Sequence, residues 1–260
     1  MNYIIHAACI SSRGRIRRNN EDNCLFDGRC FPAEHDEDTP LLCLAQKTDT
    51  PVFVAVFDGM GGENFGELAS FAAAERMRTA LSNAPAFDDA SAFLEQLCLE
   101  LNRAVVEKKE EMLTGSMGTT AVIVCFSDAD ATVCNVGDSR CYLLRGGALR
   151  QLSVDHVAAQ SPMFRAKKPP LSQSLGIPED DFLIEPSVDS VPLAHGDLFL
   201  LCSDGITDML TDEQIASILR DNPSPDDSAR ILLQSAMENG GRDNATVIVC
   251  AAGQAEEAQA

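Results

Sequence analysis

The stretch VFVAVFDGMGG, residues 52–62, decides the fold around it. Its first six residues are apolar and rich in Val and Phe, which is typical of a strand buried on both faces. The strand ends at Asp58, and three of the next four residues are glycines. A carboxylate at the end of a buried strand is costly unless a positive group meets it, and glycines let a ligand approach the backbone. The end of this strand is therefore a candidate binding site.

Three further apolar runs meet an aspartate in a similar way. Residues 197–203 lead into Asp204, residues 131–136 lead into a turn that contains Asp138, and residues 245–250 follow Asp243. If these strands lie side by side in antiparallel sheets, the four aspartates can gather at one edge. Ligand sets made only of oxygen favour Mg²⁺, Mn²⁺ or Ca²⁺ over zinc. The sequence therefore predicts a site for a hard metal ion.

Length and charge limit the classes of protein that fit. The 260 residues can bury a large core, and no Pro/Ser-rich linker divides them, so we expect one domain over residues 1–253 and a disordered acidic tail over residues 254–260. The formal net charge is −20, from 20 basic and 40 acidic residues. Such a surface repels phosphate backbones and anionic lipid, so nucleic acid and membranes are poor candidates as partners.

The cysteines indicate a reducing compartment. Ten are scattered without a Cys-x-x-Cys pair, and several, such as Cys125 and Cys134, lie inside apolar runs. Free thiols fit this pattern best, although Cys24 and Cys30 could face each other across a hairpin. We find no signal peptide and no run of transmembrane length, and we therefore expect a cytoplasmic protein.

Hydrophobic periodicity predicts strands in runs, with pairs of helices between them. The expected strands are 3–10, 52–57, 119–126, 131–136, 140–145, 148–152, 187–192, 197–203 and 245–252, with a hairpin over 24–51 whose acidic loop lies at 35–38. The expected helices are 63–81, 90–112, 212–220 and 226–239, and residues 153–185 form an irregular loop. Helices that do not alternate one for one with strands argue against a parallel doubly wound sheet. We predict two antiparallel sheets packed as a sandwich, with helices outside.

A basic segment follows the first strand. Arginines at positions 13, 15, 17 and 18 precede Glu21 and Asp22, which is unusual clustering in so acidic a chain. The segment could be a surface turn with local ion pairs. Alternatively, one arginine could clamp a phosphate with its bidentate guanidinium, beside a carboxylate pair that meets a metal.

Six motifs in this order resemble the metal-dependent protein phosphatases of type 2C, over about residues 4–252. They are Arg17-x-x-Asn20-Glu21-Asp22, Phe57-Asp58-Gly59-Met60-Gly61-Gly62, Gly118-Thr119-Thr120, Gly137-Asp138-Ser139-Arg140, Ser203-Asp204-Gly205 and Arg242-Asp243-Asn244. Each motif alone is weak evidence for the resemblance, because Asp-Gly is an ordinary turn dipeptide. The resemblance implies an α+β fold, a four-layer αββα sandwich of two antiparallel β-sheets flanked by helices. It also implies removal of phosphate from phosphoserine and phosphothreonine proteins, opposite a Ser/Thr kinase, by a chain we expect to be monomeric.

The resemblance further implies a role for each site residue. Asp58 would bridge two Mn²⁺ or Mg²⁺ ions, one of which would also be held by Glu21 and the Gly59 carbonyl. The ligands implied for the other ion are Asp204 and Asp243, with Asp22 bonding metal-bound water, Arg17 binding the substrate phosphate, and Asp138 joining Asp204 at a weaker third metal position.

The chemistry expected of such a centre needs no protein nucleophile. Two divalent ions about 3.5–4 Å apart lower the pKa of a bridging water and neutralise charge on the phosphoryl group, so hydroxide can attack in line. No cysteine lies in a phosphate-cradling loop, which argues against a cysteine-based phosphatase.

Two departures from the family pattern stand out. Met60 occupies a position where some members carry a proton-donating His, and the Met-Gly-Gly form resembles the bacterial, stand-alone branch. The segment 153–185 looks shorter than the usual flap, which leaves substrate preference and the third metal open. It keeps Asp155-His156, and His156 is either a satisfied core residue or a substrate contact.

Two alternative functions and one open question about a basic group remain at this point. The fold could serve a metal-binding pseudophosphatase that recognises a partner, or the Asp-Gly pairs could be turns in an ordinary sandwich domain. A basic group at Arg165, Lys167 and Lys168 could attract phosphorylated substrates or be a solvated loop.

Overall fold

Strand pairing around residues 52–61 organises the structure, a computed structural model that describes residues 3–35, 38–61, 65–82, 87–159, 168–178, 180 and 182–254. The strands are β1 Tyr3–Ser12, β2 Asp22–Leu25, β3 Leu42–Lys47, β4 Val52–Gly61, β5 Met117–Thr119, β6 Ala121–Ser127, β7 Asp130–Val136, β8 Arg140–Arg145, β9 Ala148–Gln151, β10 Ser187–Pro192, β11 Leu198–Cys202 and β12 Ala245–Gln254. The helices are α1 Gly66–Ser82, α2 Ala90–Glu111, α3 Asp204–Thr207, α4 Asp212–Asp221 and α5 Pro225–Glu238.

The strands form two antiparallel sheets. One has the order β3-β1-β12-β11-β8-β9, and the other has the order β10-β7-β6-β4-β2, with β5 paired to the end of β4. Their facing sides share a core in which Phe126 and Phe199 meet edge to face, with ring centroids 5.2 Å apart. Burying apolar side chains from both sheets is the main favourable contribution to this packing.

Helices cover both outer faces. α1 and α2 pack on the sheet that contains β4, where Ala73 and Ala74 of α1 let the helix come close to the strands. α4 and α5 pack on the other sheet. A capping box at Thr211 and Gln214 begins α4, and Pro225 in the first turn begins α5. The α+β, four-layer αββα sandwich expected from the sequence is thus confirmed.

The predicted hairpin over residues 24–51 is wrong. β2 pairs with β4 in one sheet, whereas β3 pairs with β1 in the other. A hydrophobic pattern indicates that a segment is a strand but does not name its neighbour. Cys24 accordingly lies against Cys9 rather than Cys30, with the two Sγ atoms 3.7 Å apart, and all ten cysteines are free thiols.

Some sequence predictions concern residues outside those described. These are Asp36 and Glu37 of the acidic loop, Gly62, Arg165, Lys167 and the tail beyond Gln254. Within the described part of 153–185, pairing is limited to isolated bridges such as Val157 with Leu171. Among the described helices, none is long and apolar enough to cross a membrane.

Candidate active site

The acidic strand ends meet at one end of the sandwich. Asp22, at the start of β2, lies directly opposite Asp58 on β4. Asp204 begins α3 two residues after the end of β11, Asp138 lies in the turn after β7, and Asp243 lies two residues before β12. The sheet topology therefore brings the aspartates predicted from the sequence to a common edge.

Asp22 is fully buried and only half satisfied. Its Oδ2 accepts hydrogen bonds from Ser203 Oγ and Thr246 Oγ1, both at 2.7 Å. Its Oδ1 has no hydrogen-bond partner among the described residues. Burial, reinforced by the charges of Asp204 and Asp243, raises the pKa of Asp22 to about 7. An orphaned carboxylate oxygen in such a place favours a bound cation or water.

Negative charges are most crowded around Asp58. Burial raises its pKa well above the ordinary range, and the negative charges of Asp204, Asp22, Asp243 and Asp138 raise it further. Burial also raises the pKa of Asp138 and of Asp243, where the charge of Asp204 adds to the shift. These carboxylates are short of positive charge, and a divalent cation would relieve their repulsion.

Two glycines bring Glu21 to this cluster. The Gly59 amide donates to the Glu21 carbonyl at 3.1 Å, and a Cβ on Gly59 would collide with that oxygen and with the Gly66 carbonyl. A Cβ on Gly66 would stand 2.7 Å from Glu21 Oε2. Glycine is therefore required at both positions for the Glu21 carboxylate to lie beside the end of β4.

Arg17 stands at the rim of the site. It is exposed, and its Nη2 donates to Asp243 Oδ2 at 2.5 Å. Asn244 holds the loop that carries it, because Asn244 Nδ2 donates to the carbonyls of Arg13 and Asn19 at 2.8 and 2.9 Å. Asn244 Oδ1 accepts from the Glu21 amide at 2.9 Å. The sequence indicated Asn244 only as part of a motif and gave no sign of this clamp.

Lys168 enters the same site from the irregular segment. Its Nζ forms ion pairs with Asp204, with Asp138 Oδ2 at 3.0 Å and with Asp208 Oδ2 at 3.3 Å. Burial lowers the pKa of Lys168, but attraction by these carboxylates, Asp204 foremost, outweighs it and the net shift is upward. Sequence reasoning missed Asp208, although it follows Asp204 by four residues, a spacing that places two side chains on one face of a helix.

His156 has a structural role. Its Nδ1 accepts a hydrogen bond from the Gly137 amide at 3.2 Å, and its Nε2 lies 2.9 Å from Ser187 Oγ. The side chain is buried, which lowers its pKa. Both ring nitrogens are thus used inside the protein, and of the two readings of His156 the structure favours the satisfied core residue over the substrate contact.

The site is an open set of oxygen ligands rather than a closed cage. Within the described residues, no group of three or more His, Cys, Asp or Glu side chains is arranged to hold a metal ion as it stands. The carboxylates are instead met by Arg17 on one side and Lys168 on the other. The all-oxygen donor set, the orphaned Asp22 Oδ1 and the cradle at Gly59 nevertheless fit a hard divalent cation.

Known proteins with this fold share its sequence pattern. Residues 37–239 match the family model for protein phosphatase 2C. The serine/threonine phosphatase stp of Listeria monocytogenes serotype 4b (strain F2365) is 31% identical, over 94% of this chain and 95% of that protein. The PstP phosphatase of Mycobacterium tuberculosis (strain ATCC 25618 / H37Rv) is also 31% identical, over 95% of this chain but 45% of its own length.

Solved structures of other proteins have the same fold as this chain. The catalytic domain of PstP, solved in complex with two manganese ions, superposes with a TM-score of 0.75 at 29% identity and covers 98% of this chain and 100% of that one. PppA of Pseudomonas aeruginosa superposes with a TM-score of 0.76 at 26% identity, over 97% of this chain and 100% of that one. The chain therefore belongs to the protein phosphatase 2C family, and it is a protein phosphatase.

Proposed function

We propose that this phosphatase depends on two divalent ions, Mn²⁺ or Mg²⁺, and acts on phosphoserine and phosphothreonine proteins. The observation that carries the proposal is the buried, mutually repelling carboxylate cluster around Asp58. The PstP structure with two manganese ions supports the metal dependence, and the names of the relatives support the substrate class. Such an enzyme would oppose a Ser/Thr kinase. We propose a monomer in the cytoplasm, where its free thiols would stay reduced.

Each acidic residue would have a distinct task. Asp58, at the centre of the cluster, would bridge the two ions, with Glu21 and the Gly59 carbonyl on one side. Asp204 and Asp243 would hold the ion on the other side. When bound, the ions would supply an activated water and neutralise charge on the phosphoryl group.

Asp22 would orient water with its free Oδ1, since Ser203 and Thr246 fix its other oxygen. Arg17 would exchange Asp243 for the substrate phosphate, because its guanidinium is exposed and close to the cluster. Met60 cannot donate a proton, so the leaving alkoxide would be protonated by water.

The test is hydrolysis of a phosphothreonine peptide by the purified chain in Mn²⁺, in Mg²⁺ and in chelator, beside Asp204→Asn. We expect turnover that needs metal and is lost in the variant. Turnover that persists in chelator, or that survives Asp204→Asn, would contradict the proposal. Absence of turnover in a protein that binds Mn²⁺ would favour a pseudophosphatase that recognises partners.

A further inference from the structure

One basic side chain occupies part of the acidic cluster. The ammonium of Lys168 has three donors, and it faces one carboxylate oxygen from each of Asp138, Asp204 and Asp208. Asp138 and Asp204 are the pair for which a third metal position was expected. A single positive charge therefore already lies where a third divalent ion would bind.

The backbone next to Lys168 is fixed by pairing that does not involve these carboxylates. Two residues on, the Pro170 carbonyl accepts from the Ala158 amide at 2.9 Å, and the Ser172 amide donates to the His156 carbonyl at 2.9 Å. His156 in turn accepts from the Gly137 amide, beside Asp138. The backbone two and four residues after Lys168 is thus held in place without help from the ion pairs.

We propose that Lys168 is a built-in cation that replaces the third divalent ion of this active site and limits tight metal binding to two ions. The inference rests on the proposed function, because it presumes that the other two positions take metal. Lys168 shares Asp204 with one of those positions, through Oδ2 alone, and its described contacts include none of Asp58, Asp22, Glu21 and Asp243. Loss of its charge would leave three carboxylates that suit a hard cation.

Three variants separate charge from position. Lys168→Met keeps an unbranched side chain, one atom shorter, but removes the charge, and Lys168→Arg keeps the charge. Lys109→Met is the matched control, because Lys109 also holds this segment, through the Gly176 carbonyl at 3.2 Å, and makes none of the three ion pairs.

The experiment counts Mn²⁺ ions bound to the full chain by isothermal titration calorimetry, with electron paramagnetic resonance of free Mn²⁺ as a second count. We expect two tight ions in the wild type, Lys168→Arg and Lys109→Met. Lys168→Met should bind a third ion at least tenfold more tightly than the wild type does. Equal stoichiometry and affinity in wild type and Lys168→Met, whether two ions or three, would overturn the inference but leave the proposed function intact. A wild type that binds no Mn²⁺ would overturn the proposed function itself.

Melting in chelator gives a readout that is independent of metal. Without any divalent ion, Lys168→Met should melt at a lower temperature than the wild type and Lys168→Arg, because its three carboxylates have lost their cation. Saturating Mn²⁺ should remove that difference. Identical melting temperatures in chelator would contradict a cation role for Lys168.

Discussion

The two ends of the sandwich are both rich in aspartate, yet only one resembles a site. At the end opposite the active site lies a cleft of about 1140 Å³. It is lined by six exposed aspartates, which are Asp27, Asp49, Asp88, Asp89, Asp128 and Asp130. At the active-site end, Asp58 and the four aspartates whose charges raise its pKa are buried or half-buried.

Three aspartates of the cleft have local structural roles. Asp27 and Asp128 take the left-handed backbone conformation of tight turns, with φ of 51° and 49°. Asp89 caps α2 by accepting from the amides of Ser91 and Ala92 at 2.9 and 3.1 Å. Cleft size and the number of acids are therefore poor guides here. Withdrawal of several carboxylates from water, with too few cations to balance them, marks the functional end.

The largest expected effect comes from neutralising the centre of the cluster. Asp58→Asn should lower kcat/KM on a phosphothreonine peptide by at least about 100-fold, a loss comparable to removal of a main electrostatic contact in a transition state. The same variant should melt at a higher temperature than the wild type in chelator, because it removes a repelled, buried charge. Asp128→Asn at the opposite end, in a conformation that Asn tolerates, should change neither quantity. Equal losses in the two variants would erase the contrast between the two ends.

Metal bound at the active-site end should raise the free energy of unfolding of the chain. With Mn²⁺ at about 100 times its dissociation constant, each occupied site adds about 2.7 kcal/mol to the free energy of unfolding. For a chain of this size that corresponds to a rise in melting temperature of roughly 5–10 °C per site. Differential scanning fluorimetry should show the rise in the wild type and a much smaller one in Asp243→Asn. A rise of the same size in both would place the metal elsewhere.

Because Asp22 lacks a cation in chelator, we expect its raised pKa to make the free energy of unfolding depend on pH. Its pKa is about 7 in the folded chain and 3.8 ordinarily, so the folded state keeps a proton that the unfolded state has released. The free energy of unfolding should therefore fall as the pH rises from about 4 to about 7, and level off above.

Urea unfolding between pH 5 and pH 8 measures this slope. Asp22→Asn should reduce the slope, to which Asp58, Asp138 and Asp243 also contribute, and saturating Mn²⁺ should reduce it further, because a bound cation favours the ionised carboxylates. A slope that Asp22→Asn leaves unchanged would mean that another group titrates.

The smallest effect is expected at the opposite end. Asp89→Ala removes the N-cap of α2 and should cost about 1 kcal/mol, or roughly 2–4 °C in melting temperature. Because this aspartate has a local duty only, the variant should keep the wild-type kcat/KM and Mn²⁺ affinity. A change in either would show that the two ends are coupled.

Much of the fold could be predicted because its information is local. The predicted helix over residues 212–220 corresponds to α4 at Asp212–Asp221, since Thr211 caps its first turn and its apolar positions follow helical spacing. The short helix α3 was missed, because four residues carry no periodicity.

Strand pairing was the weaker part of the prediction. Segments β2 and β3 were expected to form one hairpin, yet each completes a different sheet. Long-range pairing depends on which surfaces are left to cover, and a local pattern does not contain that information.

The sequence by itself determined which carboxylates lie at the ends of strands, because an apolar run that stops at Asp is visible in a short stretch of sequence. Only the tertiary structure decided how those carboxylates are supported. The hydrogen bonds to Asp22 come from residues 181 and 224 positions away. The ion pairs of Lys168 span 36 positions to Asp204 and 40 to Asp208. Side chains so distant in sequence meet only after both sheets have packed, and the free energy of their charges depends on that burial.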